Sequence, residues 1–157
     1  MLVEQGLAKP SFLQELQRRA DEVQRQFAFL RRFFTPRTVF LQTGAEDCAL
    51  ALEAASFVER VYALGVTDGL TAGVRLPCNL RLGIAKEPVD IAFSEQLDTD
   101  RLRYIRAALA PGGKYFFYLS GEYKEARRQL REAGFSDVRY PFLLSVFQRQ
   151  RIVAGVR

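Results

Sequence analysis

The chain is 157 residues long, 48% hydrophobic and 26% charged, a profile that excludes a disordered polypeptide and gives enough length to bury one core of ordinary size. The formal net charge is +5, and all but four of the 23 basic residues are arginine; they are scattered along every predicted helix and strand without an aromatic-rich RNA-binding motif, so the charge reads as a solvated basic surface and no nucleic-acid partner is expected. No apolar run approaches the roughly 20 residues that span a bilayer, and the start MLVEQGLAKP has no apolar core of signal-peptide type, so no membrane contact and a cytoplasmic location are expected.

The elements are predicted in chain order as one unit, 1–157, made of a long N-terminal amphipathic helix over 11–34 and an α/β core over 38–157. Ser11 precedes the periodic segment FLQELQRRADEVQRQFAFLRRFF, Glu15 supports its first turn, and Thr35 and Pro36 stop it. Its apolar stripe, Leu13, Leu16, Ala20, Val23, Phe27, Leu30 and Phe34, has the three-four spacing of a heptad seam. A segment of about 23 residues spans about 35 Å, whereas strands of five or six residues reach roughly 17 to 20 Å, so part of the stripe should overhang any sheet it covers. A homodimer through this helix, or another protein partner on it, is the expected way to bury the excess.

TVFLQ is the first predicted strand, TGAED a turn, and Cys48 to Phe57 a helix. RVYALGV and LRLGIA are the next strands, and only KEP separates the latter from VDIAFS. DTDRLRYIRAAL is a helix with Asp98 or Thr99 as its cap, and APGG is a sharp turn into the strand KYFFYLS. EYKEARRQLREAG is the last helix, with Gly134 as its C-cap, and DVRYPFLL and SVFQRQRIVAGV are two closing strands able to pair as an antiparallel hairpin. Alternating strands and helices call for a parallel sheet covered by right-handed crossovers. The aromatic clusters FAFLRRFF and KYFFYL are what a core-facing helix and a buried strand predict. Two cysteines, Cys48 and Cys78, and no histidine leave no metal site.

In this order the pieces VFLQTGAEDCALALEAA, VYALGVTD, VDIAFSEQL, LAPGGKYFFY and LREAGFSDVR make Thr38 to Arg157 resemble the class I S-adenosylmethionine-dependent methyltransferases. The resemblance implies an α/β, Rossmann-like class I methyltransferase fold: a seven-stranded, mostly parallel sheet with a C-terminal antiparallel hairpin, flanked by helices. It also implies a cofactor, S-adenosylmethionine, at Gln42, Gly44, Glu46, Asp47, Gly65, Ser94 and Glu95. The family's first motif carries an acidic residue and then three alternate glycines; here those positions read Gln42, Gly44, Glu46 and Cys48. Glycine lacks a Cβ and tolerates positive φ, so the substitutions crowd the turn. Asp47 is equally a cap for the helix that follows. The family's ribose-binding carboxylate at the end of the second strand is replaced by Gly65, with Asp68 three residues on as a turn residue, and LGIAKEP lacks the acid expected near the adenine. No catalytic residue is assigned. Ser94 and Glu95, at the carboxyl end of the fourth strand, are the candidate site pair, or else a helix cap and a solvated charge.

The replaced anchors point to a methyltransferase-like protein with weak or absent cofactor binding and an interaction or regulatory role; an active methyltransferase on an unknown substrate is the alternative. A nicotinamide-dependent oxidoreductase fits less well, because TGAEDCA has one glycine where GxGxxG is needed.

Overall fold

The computed structural model describes residues 10–45, 47–66, 75–139 and 152–157. In chain order they form α1 (Pro10–Leu30), a short 3-10 turn (Arg31–Phe33), β1 (Val39–Gln42), α2 (Ala49–Ala55), β2 (Arg60–Ala63), β3 (Leu80–Leu82), β4 (Val89–Gln96), a second 3-10 turn (Thr99–Arg101), α3 (Leu102–Ala108), β5 (Leu109–Tyr118), α4 (Tyr123–Glu132), β6 (Asp137–Arg139) and β7 (Ile152–Val156). The seven strands make one sheet in the order β3-β2-β1-β4-β5-β7-β6. Each pair from β3 through β5 is parallel, and β7 runs antiparallel to both β5 and β6. This is the predicted mostly parallel sheet with a hairpin at one end.

Strand alternation sorts the core into two layers. Phe40, Phe93 and Phe116 point to the face covered by α1 and α2, where they meet Val23, Phe27, Leu30, Leu50 and Ala54. Leu41, Tyr115 and Phe117 point to the opposite face, against Leu102 and Ile105 of α3 and Ala126 and Leu130 of α4. All four residues of β1 are buried, as in a central strand sealed on both sides. The aromatic clusters are therefore core: Phe29 packs edge-on against Phe116 with ring centroids 5.2 Å apart, and Phe34 against Phe40 at 5.0 Å.

Several local expectations are corrected. The first helix starts at Pro10, one residue before the predicted cap Ser11, because proline's missing N–H costs nothing in a first turn. Glu15 pairs with Arg18 one turn on. The helix closes as a 3-10 turn over Arg31–Phe33 rather than running to Phe34. Asp98 flanks the second 3-10 turn but makes no side-chain cap bond, its carboxylate lying 3.2 Å from Arg101. APGG lies inside β5: pairing with β4 jumps from Val89–Leu109 to Ile91–Lys114, so the segment bulges out of the ladder. Gly134 is the C-cap as predicted, at φ +101°, its N–H donating to Arg131 O while Phe135 N–H donates to Leu130 O. Of the two closing strands, residues 140–151 lie outside the described residues.

The overhang of α1 is present. Val23, Phe27 and Leu30 are buried, whereas Phe12 is 51% and Leu16 50% exposed. Among the described residues, no helix is long and apolar enough to cross a membrane.

Candidate functional site

The loops at the carboxyl ends of β1, β2 and β4 converge, as expected of an open parallel sheet whose strand order reverses between β1 and β4. Backbone hydrogen bonds fix them: Thr43 N–H donates to Phe93 O, Leu64 N–H to Gln42 O, and Ala45 N–H to Leu64 O. The predicted site residues on β1 and β4 are thereby brought to one edge.

Gln42 and Thr43 are each 1% exposed, and Gln42 Oε1 and Thr43 Oγ1 have no hydrogen-bond partner. Gly44 turns the chain at φ +62°. Glu46 lies outside the described residues. Asp47 fills the cap role: its Oδ1 accepts from Ala49 N–H at 3.0 Å, at the start of α2. Cys48 is buried beside it, and burial, followed by the Asp47 charge, pushes the thiol upward from its ordinary pKa.

Gly65 does not sit back from the first loop. It adopts φ +99°, and a Cβ built on it would lie 3.5 Å from both Cα and N of Gly44. The loop after β2 is therefore in van der Waals contact with the loop after β1. Asp68 lies outside the described residues.

Ser94 and Glu95 are adjacent in β4, which runs on to Gln96 rather than ending at Ser94. Ser94 is 2% exposed. Its hydroxyl donates to the Gln96 carbonyl, so the 2.5 Å contact with Tyr115 Oη is donated by the tyrosine; Tyr115 Oη in turn accepts from Asp98 N–H at 3.0 Å. This buried relay ties the end of β4 to β5, and burial raises the Tyr115 pKa far above its ordinary value. Glu95 accepts from Arg19 Nη1 at 2.5 Å and from Gln26 Nε2 at 3.5 Å.

Arg19 is the residue that inspection of the motifs missed. From α1 it reaches Glu95 and also Asp47, with Nε 3.3 Å from Oδ2, so one guanidinium joins the loop after β1 to the end of β4. Burial alone would lower its pKa, but the hydrogen bonds to Asp47 and Glu95 outweigh that and raise it. A signal was available: Arg19, Glu22 and Gln26 recur at the three-four spacing of one helix face. Beneath this bridge a cleft of about 290 Å³ is lined by Thr43, Gly44, Ser94, Glu95, Gln96, Leu97, Asp98 and Arg101. Among the described residues no cluster of three or more His, Cys, Asp or Glu is placed to hold a metal.

No protein-family model matches the chain, and no curated protein does. Solved structures do. A Nostoc punctiforme protein described as an O-methyltransferase superposes with TM-score 0.65 at 12% identity, over 85% of this chain and 56% of that one. A methyltransferase from Pyrococcus furiosus gives 0.61 at 20% identity, over 85% and 82%, and an rRNA methylase from Streptococcus thermophilus gives 0.56 at 14%, over 84% and 93%. The chain has the class I S-adenosylmethionine-dependent methyltransferase fold. It spans just over half the length of the Nostoc protein, and at these identities the likeness is one of fold. In that fold the described cleft occupies the switch point between β1 and β4, where ligands of open α/β sheets gather.

Proposed function

We propose that this is a methyltransferase-like protein whose S-adenosylmethionine site is degraded, so that it binds the cofactor weakly or not at all and acts in the cytoplasm through contact with other molecules. The observation that carries this reading is the closure of Gly65 on Gly44. Two ribose hydroxyls need a pair of acceptors and room beside them. Gly65 offers no acceptor side chain, and its backbone already touches the loop that the nucleoside would have to line. The Arg19 bridge adds to it: Asp47 and Glu95, two of the acids near the cleft, are committed to α1.

The energetic consequence is large. Hydrogen bonds to a charged group contribute about 1.5 to 3 kcal/mol each, so loss of the two ribose contacts weakens binding by roughly two to four orders of magnitude.

The alternative, an active methyltransferase on an unknown substrate, is favoured by a different observation: the cleft of about 290 Å³ persists, and the buried Thr43 Oγ1 on its wall lacks a partner. Methyl transfer proceeds largely by positioning two reactants, so it does not require the absent histidine. Calorimetric titration with S-adenosylmethionine and its demethylated product separates the two. No measurable heat below millimolar concentration is the expected result, and a micromolar or tighter Kd restores the enzyme reading.

A further inference from the structure

Parallel strands in one sheet are ordinarily joined by a dozen or more residues, usually with a helix that covers the sheet. Between β3 and β4 the chain has only residues 83–88. They cross the sheet face as an extended segment, held by Ala85 N–H donating to Tyr104 Oη at 2.7 Å and by Glu87 accepting from Tyr62 Oη at 2.6 Å. The two helices of that face, α3 and α4, pack on β5 and β6. Its far end, over β2 and β3, carries no helix among the described residues.

A groove of about 390 Å³ occupies that end, lined by Arg60, Tyr62, Arg81, Leu82, Ile84 and Lys86. Leu82 is 40% and Ile84 59% exposed, an aliphatic pair on the surface where a crossover helix would have buried it. Three cations surround it, and the carboxylate placed among them, Glu87, is taken by Arg60 at 2.5 Å and by Tyr62. The groove is therefore apolar along its rim and positive in balance.

We propose that this groove is a docking surface for an amphipathic helix of a partner protein, with aliphatic residues seated on Leu82 and Ile84 and carboxylates facing Arg81 and Lys86. Charge complementarity selects the occupant. The overhanging half of α1 from a second copy, with Glu15 balanced by Arg18, does not supply the required negative surface. A nucleic acid would use the cations but leave Leu82 and Ile84 uncovered, and the groove's one aromatic, Tyr62, is 4% exposed and unavailable for stacking. The groove shares no lining residue with the cleft between β1 and β4, so this proposal stands or falls independently of cofactor binding.

The test is fluorescence anisotropy on the full chain with a labelled helical peptide bearing leucine on one face and glutamate on the other. The control peptide carries lysine in place of glutamate, and oligothymidine is a third probe. Saturable binding of the glutamate peptide is expected, falling at least tenfold in Arg81→Glu/Lys86→Glu and, separately, in Ile84→Asp, with no saturation by the lysine peptide. All these side chains are exposed, and unchanged circular dichroism of each variant establishes that it folds. Failure of the glutamate peptide to bind at ~100 μM would mean that the cations only guard the edge strand β3 against aggregation, and the proposal is then wrong. Equal binding to wild type and variants, or binding of oligothymidine in place of peptide, overturns it as well.

Discussion

Replacing Gly65 by aspartate puts back the carboxylate that the fold ordinarily carries, and its expected effect is loss of stability without gain of cofactor. The backbone at this position has φ +99°, outside the left-handed basin that L residues visit. Adopting such a conformation costs about 1 to 3 kcal/mol. The added Cβ adds little more, because its nearest neighbours, Gly44 Cα and N at 3.5 Å and Ala45 N at 3.6 Å, are at ordinary contact distance. In a domain of this size 1 kcal/mol corresponds to a shift of about 2 to 4 °C, so Tm should fall by roughly 2 to 12 °C. Thermal unfolding followed by circular dichroism measures this, and Gly65→Ala, which carries the same backbone burden without the charge, should fall by a similar amount. Calorimetry on Gly65→Asp should still detect no S-adenosylhomocysteine binding. An unchanged Tm in both variants would show that the loop does not hold this conformation. Cofactor binding restored by Gly65→Asp alone would show that the contact with Gly44 is no barrier, and the degraded-site reading would fail with it.

Two further outcomes follow from α1. Arg19→Ala removes one guanidinium from both Asp47 and Glu95, but Arg19, Asp47 and Glu95 have side-chain exposures of 24%, 37% and 40%, so solvent screening holds the expected loss to about 0.5 to 1 kcal/mol; a urea midpoint that does not move would mean that the bridge is not populated in solution. Self-association through the overhanging half of α1 is expected to give a dimer mass by light scattering at high micromolar concentration, reverting to monomer in Phe12→Glu/Leu16→Glu, and a monomeric wild type removes that proposal.

The order of elements was legible because each carries a strong local signature. β1 and β5 are short apolar runs, α4 has Ala126 and Leu130 on one face and charges elsewhere, and Gly134 stands where a helix needs a residue at positive φ. The sheet order followed from alternation and from the apolar character of the middle strands. The misplaced details are competitions that spacing does not decide. Asp98 has a cap position and a cation three residues away, and it takes the cation. APGG has turn composition, yet pairing on both sides draws it into β5 as a bulge.

The site was less legible, and the reason lies in distance along the chain. The absence of glycines and acids at Gln42, Cys48 and Gly65 is plain in the sequence, but what replaces them is tertiary. Arg19 and Glu95 are 76 positions apart, and nothing local to either marks them as a pair. Ser94 reads as a candidate nucleophile from its place at a strand end, and only the fold reveals that its hydroxyl is spent on Gln96 and Tyr115. Gly65 is the sharpest case: as a letter it records a missing carboxylate, whereas as a backbone at φ +99° against Gly44 it records a loop that has closed. A lost side chain can be put back by one substitution, but a closed loop cannot, because its conformation is held by Ala45 N–H on Leu64 O and Leu64 N–H on Gln42 O as well as by the glycine itself. The short segment 83–88 carries the same lesson in the opposite direction. Its brevity was visible as KEP between two strands, but the consequence, an aliphatic and basic groove where a crossover helix would lie, emerges only when β3 is set at the sheet edge two strands away from β4.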